Sequence, residues 1–139
     1  MKKYKYDVSF RVRHPSMDPD LICSTLGLEA KSKWKAASKR KTSKGKPLLG
    51  KYEFSFCTFS LKHPKDIHIA DFLKFYNKKL NKQKYFLNSI RVSGGSLEYF
   101  IGWYTNENCG EVFDVELLKN LVDLGIEISL DIYPAAHSK

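Results

Sequence analysis

Sulfur is scarce in this chain, which has three cysteines and two methionines among 139 residues. Cys23, Cys57 and Cys109 lie far apart, none at Cys-x-x-Cys spacing, and three thiols cannot all pair with one another. That excludes a disulfide framework and a recognisable zinc set, and it predicts reduced thiols in a reducing cytoplasm. Long apolar runs are also missing; no stretch approaches the roughly 18 residues needed to span a bilayer. Met1-Lys2-Lys3 has the basic start of a signal peptide, but Lys5, Asp7 and Arg11 interrupt the apolar run that would have to follow. The expectation is a protein neither exported nor membrane-associated. Acid is absent from one segment altogether. Lys31, Lys33, Lys35, Lys39, Arg40, Lys41, Lys44 and Lys46 stand unopposed and supply nearly all of the formal charge of +9. Any electrostatic attraction for a partner therefore belongs to this segment. The length suits a single domain, residues 1–139, large enough to bury a core without staples.

What is present is periodicity. Tyr4, Tyr6, Val8, Phe10 and Val12 alternate with polar residues, which predicts a strand covered on one face. Asp18-Pro19 supplies an N-cap and a first-turn proline for a short helix ending at Gly27, with Met17 and Ile22 spaced as a hydrophobic staple. From residue 31 to 47 the pattern lapses, predicting a flexible basic loop or at most a frayed edge strand. Tyr52, Phe54 and Phe56 share one phase and Cys57, Phe59 and Leu61 the other, so the next strand is buried on both faces or carries a bulge. Asp66 is the expected cap of a helix with Ile69, Phe72, Leu73, Tyr76 and Leu80 inward.

Tyr85, Leu87, Ile90 and Val92 read as a strand, turned through Ser93-Gly94-Gly95-Ser96 into a second apolar strand from Leu97 to Tyr104. Asp114 then caps a helix that Gly125 closes, and Ile126, Ile128, Leu130 and Ile132 alternate through the last strand. The Asp18 and Asp114 units share their staple, cap and Leu-Gly stop, a weak sign of internal duplication. The order predicts an α+β two-layer sandwich: a mostly antiparallel sheet of five to six strands with three helices, for which an elaborated ferredoxin-like arrangement is one form.

Leu21 to Leu28 with its Leu26-Gly27 stop, the basic stretch after it, the aromatic strand from Tyr52, and Leu124-Gly125 followed by Leu130-Asp131-Ile132-Tyr133 together resemble the bacterial domain of unknown function family 4279. The likeness covers most of the chain. It implies the fold and a bacterial source, and it brings no established activity.

Residues that could carry chemistry give a weaker signal. Gly45-x-x-x-x-Gly50-Lys51 has the skeleton of a phosphate-binding loop, but Tyr52 stands where Ser or Thr would bind magnesium, and a strand follows where a helix N-terminus belongs. His14, His63, His68 and His137 lack metal-ligand spacing and read as solvated turn residues; His14 and His63 each precede a proline, which suggests one shared sheet edge. Cys23 and Cys57 read as small core residues, and Cys109 as the one exposed thiol, with no histidine near it in sequence. Asp131 is a cross-strand partner for Arg11 or Arg13 if the first and last strands are neighbours. No metal ion, cofactor or catalytic set is expected.

The basic segment is what suggests a partner. Trp34 between Lys33 and Lys35 can anchor on a protein surface while the lysines speed encounter, or stack on a base while they meet phosphates. Lysines outnumber arginines and the aromatic signal is a single tryptophan, so a protein partner is preferred to nucleic acid. The expected function is non-enzymatic binding of another protein, of an immunity or accessory kind.

Overall fold

The computed structural model describes residues 3–134; His137 lies outside them. Its elements are β1 (Lys5–His14), α1 (Pro19–Leu26), β2 (Ser32–Trp34), β3 (Lys39–Lys41), β4 (Pro47–Lys51), β5 (Ser55–Leu61), α2 (Ile69–Leu80), α3 (Lys84–Val92), β6 (Ser96–Thr105), α4 (Val115–Leu124) and β7 (Ile126–Pro134). Five strands form one sheet in the order β2-β5-β1-β6-β7, and β3 with β4 forms a separate two-stranded sheet. Only β6 and β7 are parallel; β1 runs antiparallel to both its neighbours and β2 antiparallel to β5. This is the expected α+β sandwich with a mostly antiparallel sheet.

The alternation in β1 sets the layers. Tyr6, Val8, Phe10 and Val12 are buried under the helices, while Lys5, Asp7 and Arg13 are exposed on the other face. Cys57, Phe59 and Leu61 of β5 and Leu97, Tyr99 and Ile101 of β6 join the same core, because strand residues two apart share a face. Asp18 caps α1 by accepting the Asp20 N–H at 2.9 Å, and Asp114 caps α4 by accepting the Leu117 N–H at 2.9 Å. Both helices close on a glycine in the left-handed region, Gly27 at φ 66° and Gly125 at φ 73°. The repeated punctuation seen in the sequence thus corresponds to two helices built alike at their ends.

The stretch from Tyr85 to Val92 is a correction. It is helical, not the first strand of a hairpin: α2 runs through a 3-10 turn, Asn81–Gln83, into α3. That leaves three helical segments, the second made of α2, the 3-10 turn and α3 in succession. Leu87 and Ile90 are buried, whereas Tyr85 and Val92 are exposed, so the apolar spacing that matters is three, not two. Ser93-Gly94-Gly95-Ser96 ends that helix instead of turning a hairpin, with the Gly95 N–H donating to the Ile90 carbonyl at 2.8 Å.

One buried polar pair interrupts the core. The Tyr99 hydroxyl donates to Asn77 Oδ1 at 2.8 Å, and Asn77 Nδ2 is buried without a hydrogen-bond partner among the described residues. Tyr99→Phe alone strands the amide further and should cost about 1–3 kcal/mol. Tyr99→Phe combined with Asn77→Leu should return close to wild-type stability, since no unpaired polar group then remains; urea midpoints of the three proteins check this.

Candidate interaction site

β2 is short, but its register decides where the basic segment goes. Lys33 lies opposite Cys57 and Trp34 opposite Phe56, so Lys33 faces the helical layer and Trp34 the open face of the sheet. Lys33 meets Asp20 at 2.6 Å and Lys35 approaches Asp18 at 3.9 Å; the Asp20 contact raises the pKa of Lys33 above the ordinary lysine value. Two cations of the segment are thereby tied back to the domain. Trp34 stacks on Tyr52 at 4.8 Å and on Phe56 at 4.7 Å, with Phe54 at 6.2 Å. The Arg13 guanidinium lies 4.2 Å over the Phe54 ring. These aromatics make a wall on the helix-free face, which is why both phases of the strand at 52–61 are apolar.

The segment expected to be a flexible loop is therefore built. The Ala37 N–H donates to the Tyr52 carbonyl at 2.8 Å and the Tyr52 N–H to the Ser38 carbonyl at 3.0 Å, while the Tyr52 hydroxyl donates to the Lys41 carbonyl at 3.1 Å. Ala37 accepts a φ of 68° to make the turn into β3. Arg40 donates to the Leu49 carbonyl at 3.1 Å, and Thr42 and Lys46 close the tip. Lys39, Lys41, Lys44 and Lys46 are exposed around this hairpin, as is the remainder of Arg40, while Lys31 is exposed at the start of β2 beside β5. Beside them Leu48 is 44% and Leu49 92% exposed. Neither leucine was singled out in the sequence, because a Pro-Leu-Leu run next to glycine reads as core until its strand is known to lie off the main sheet. Trp34, conversely, is half-buried structure and not a free stacking platform. The Gly45 to Lys51 skeleton falls on the hairpin tip and β4, with no helix after it to receive a phosphate.

The remaining titratable groups are held in structural roles. His14 is buried, contrary to the expectation of a solvated turn: its Nδ1 accepts the N–H groups of Ser16 and Met17 at 3.0 and 2.8 Å, and Nε2 lies 2.8 Å from the Ser93 hydroxyl. Burial lowers its pKa below 6.5. The native state therefore binds the proton less readily than the unfolded chain, and the stability this provides is present above about pH 6.5 and lost as pH falls. The urea midpoint should drop from pH 7.5 to pH 5.5, and His14→Ala should cost about 1–2 kcal/mol at neutral pH by removing the acceptor of the Ser16 and Met17 N–H groups. His63 sits at the opposite end of β1, not at a shared edge: its ring stacks on Tyr6 at 3.9 Å and Nε2 lies 2.9 Å from the Tyr6 carbonyl.

A cluster that spacing could not reveal lies at the start of α2. The expected cap, Asp66, is not used, and the residue before the helix, His68, offers no side-chain cap. Glu111 supplies it from 41 residues away: its Oε1 accepts the Ala70 N–H at 3.0 Å and the Tyr4 hydroxyl at 3.2 Å. The Tyr4 oxygen in turn accepts the Ile69 N–H at 3.1 Å, and burial pushes the Tyr4 hydroxyl up to about 12. Cys109 is half-buried and bonds Thr105 at 3.4 Å; burial pushes the Cys57 thiol up to about 12. Asp131 contacts the Tyr133 hydroxyl and pairs with neither arginine, because β6 separates β1 from β7; Arg11 meets Glu98 of β6 at 3.5 Å instead. No group of three or more metal-ligating side chains occurs among the described residues, and no helix is long and apolar enough to cross a membrane.

The class of protein is thus an α+β sandwich with helices on one face, an aromatic wall on the other and a cationic hairpin beyond it. The chain belongs to the family Domain of unknown function (DUF4279), whose profile matches residues 2–135. No curated protein and no solved structure matches it.

Proposed function

We propose that this protein acts without catalysis, by binding another protein that presents an acidic surface to the β3–β4 hairpin. The observation that carries the reading is Leu49, 92% exposed on a hydrogen-bonded hairpin whose lysines have no acid within the segment. An exposed apolar side chain on a hydrogen-bonded hairpin that also carries exposed lysines suits a docking surface in which burial supplies affinity and charge supplies rate and selectivity. Nucleic acid is the weaker fit, because the indole of Trp34 is already stacked on two rings and lysine lacks the bidentate fork of arginine. The use of Glu111 as a helix cap and of His14 as a buried acceptor supports a binding role over an enzymatic one. The concrete form is an immunity or accessory protein of the bacterial cytoplasm that occludes a cognate partner, and the three free cysteines fit a reducing compartment.

The test is titration with the purified product of the adjacent gene, alongside labelled RNA and DNA, at two salt concentrations. A one-to-one protein complex supports the reading. Nucleic-acid binding with a log–log salt slope of about −3 to −5, as four or five phosphate contacts would give, replaces it with the other.

A further inference from the structure

The two edges of the main sheet are finished differently. β2 is three residues long and carries Lys33 in its centre, with Lys31 and Lys35 on either side, the usual means of blocking strand addition. β7 is less protected, with Glu127 and Asp131 as its charges and a proline only at its last position, Pro134. It is nine residues long, pairs with β6 along its whole length from Ile126 to Pro134, and contains no bulge, glycine or lysine. Its outer flank has no strand beside it among the described residues. Leu130 and Ile132 are 46% and 64% exposed. The strand is also held in shape: Tyr133 stacks on Tyr104 at 5.2 Å, and Ser129 bonds Glu98 at 2.5 Å, so little ordering is needed on association.

We propose that β7 pairs antiparallel with β7 of a second copy of this chain, giving a symmetric dimer with one sheet continuous across both copies. The sequence of the strand is complementary to itself over its full length in one register. In an antiparallel pair opposed residues share a face, so a two-fold axis through Leu130 puts Ile128 opposite Ile132 of the second copy on the helix side. On the other side it puts Ser129 opposite Asp131 and Glu127 opposite Tyr133. An axis through Ser129 would oppose Glu127 to Asp131, and one through Asp131 would oppose that carboxylate to itself. Axes through Ile128, Leu130 and Ile132 all avoid facing like charges, and of these the Leu130 register alone pairs all nine residues of the strand. It also keeps the two cationic hairpins at the far ends of the joined sheet, since they follow β2 at the other edge, and it leaves the hairpin surface free.

Sedimentation equilibrium on the full chain, from micromolar to submillimolar concentration, is expected to give the mass of a dimer. Leu130→Lys, which sets like charges face to face at the axis, should weaken association about tenfold or more. Should that variant lose its fold, Leu130→Cys decides the matter: mild oxidation should cross-link it across the axis, while Ser129→Cys and the wild type stay uncross-linked. A wild-type monomer throughout the range overturns the proposal. So does a dimer indifferent to Leu130→Lys, or a cross-link at position 129 in place of 130.

Discussion

Gly95→Ala is expected to lower stability by about 3 kcal/mol, with a fall in Tm of roughly 10 °C. A Cβ at this position would stand 2.6 Å from the Arg13 carbonyl oxygen, 2.6 Å from Ile90 Cγ2 and 2.9 Å from the Ile90 carbonyl oxygen. Two of these three are backbone atoms, so no rotamer change relieves the clash. They also belong to different elements, the end of β1 and the end of α3, and Gly95 is where the two meet before β6 begins. Separating them would disturb the hydrogen bond from Gly95 to Ile90 and the nearby contact of His14 with Ser93. Gly110 is the control, because an added Cβ there meets nothing within 4 Å; Gly110→Ala should change stability by no more than about 0.5 kcal/mol. Equal thermal midpoints for the two variants would contradict this account of the α3–β6 junction.

Glu111→Ala is the second large effect, expected at about 2–3 kcal/mol. The Glu111 side chain is 11% exposed, so removing it leaves the Ala70 N–H and the Tyr4 hydroxyl without their acceptor in a place water reaches poorly. No neighbour in sequence can substitute, because His68 provides no cap and Asp66 lies before the helix. Glu111→Gln keeps one carbonyl oxygen and should recover roughly half of the loss. Amide exchange gives a readout that mere loss of packing would not: protection at Ile69 and Ala70 should fall more than protection deeper in α2. Uniform loss along the helix would show that Glu111 acts some other way.

Most of the framework was legible because it rests on local rules. Alternation in β1 and β7, and aspartate caps with glycine stops around α1 and α4, each depend on residues within one turn or one strand of each other. The features that local rules miss share a cause. Tyr85 to Val92 offered apolar residues at spacings compatible with either period, and only continuity with α2 resolved them. Asp131 has no arginine opposite it because β6 lies between β1 and β7, and sheet order depends on crossovers that sequence does not display. The Glu111 cap joins positions 41 and 107 residues apart, a distance at which spacing carries no information. For the basic segment the charge was visible and the scaffold was not: Tyr52, Phe54 and Phe56 alternate as a strand would, yet nothing local says that Trp34 lies down on them and props the hairpin outward.

Docking of an acidic protein on the β3–β4 hairpin is the proposal from which the functional reading follows. The most direct test is isothermal titration of the adjacent gene's product with the wild-type chain and with a variant carrying Lys39→Glu, Lys41→Glu, Lys44→Glu and Lys46→Glu together with Leu49→Asp. All five positions are exposed, so the variant should keep the wild-type circular dichroism spectrum and differ only in binding. The account predicts a one-to-one complex that weakens with salt and is reduced at least about a hundredfold in the variant. A complex of undiminished affinity in the variant, or no complex with the wild type at low salt, would contradict it.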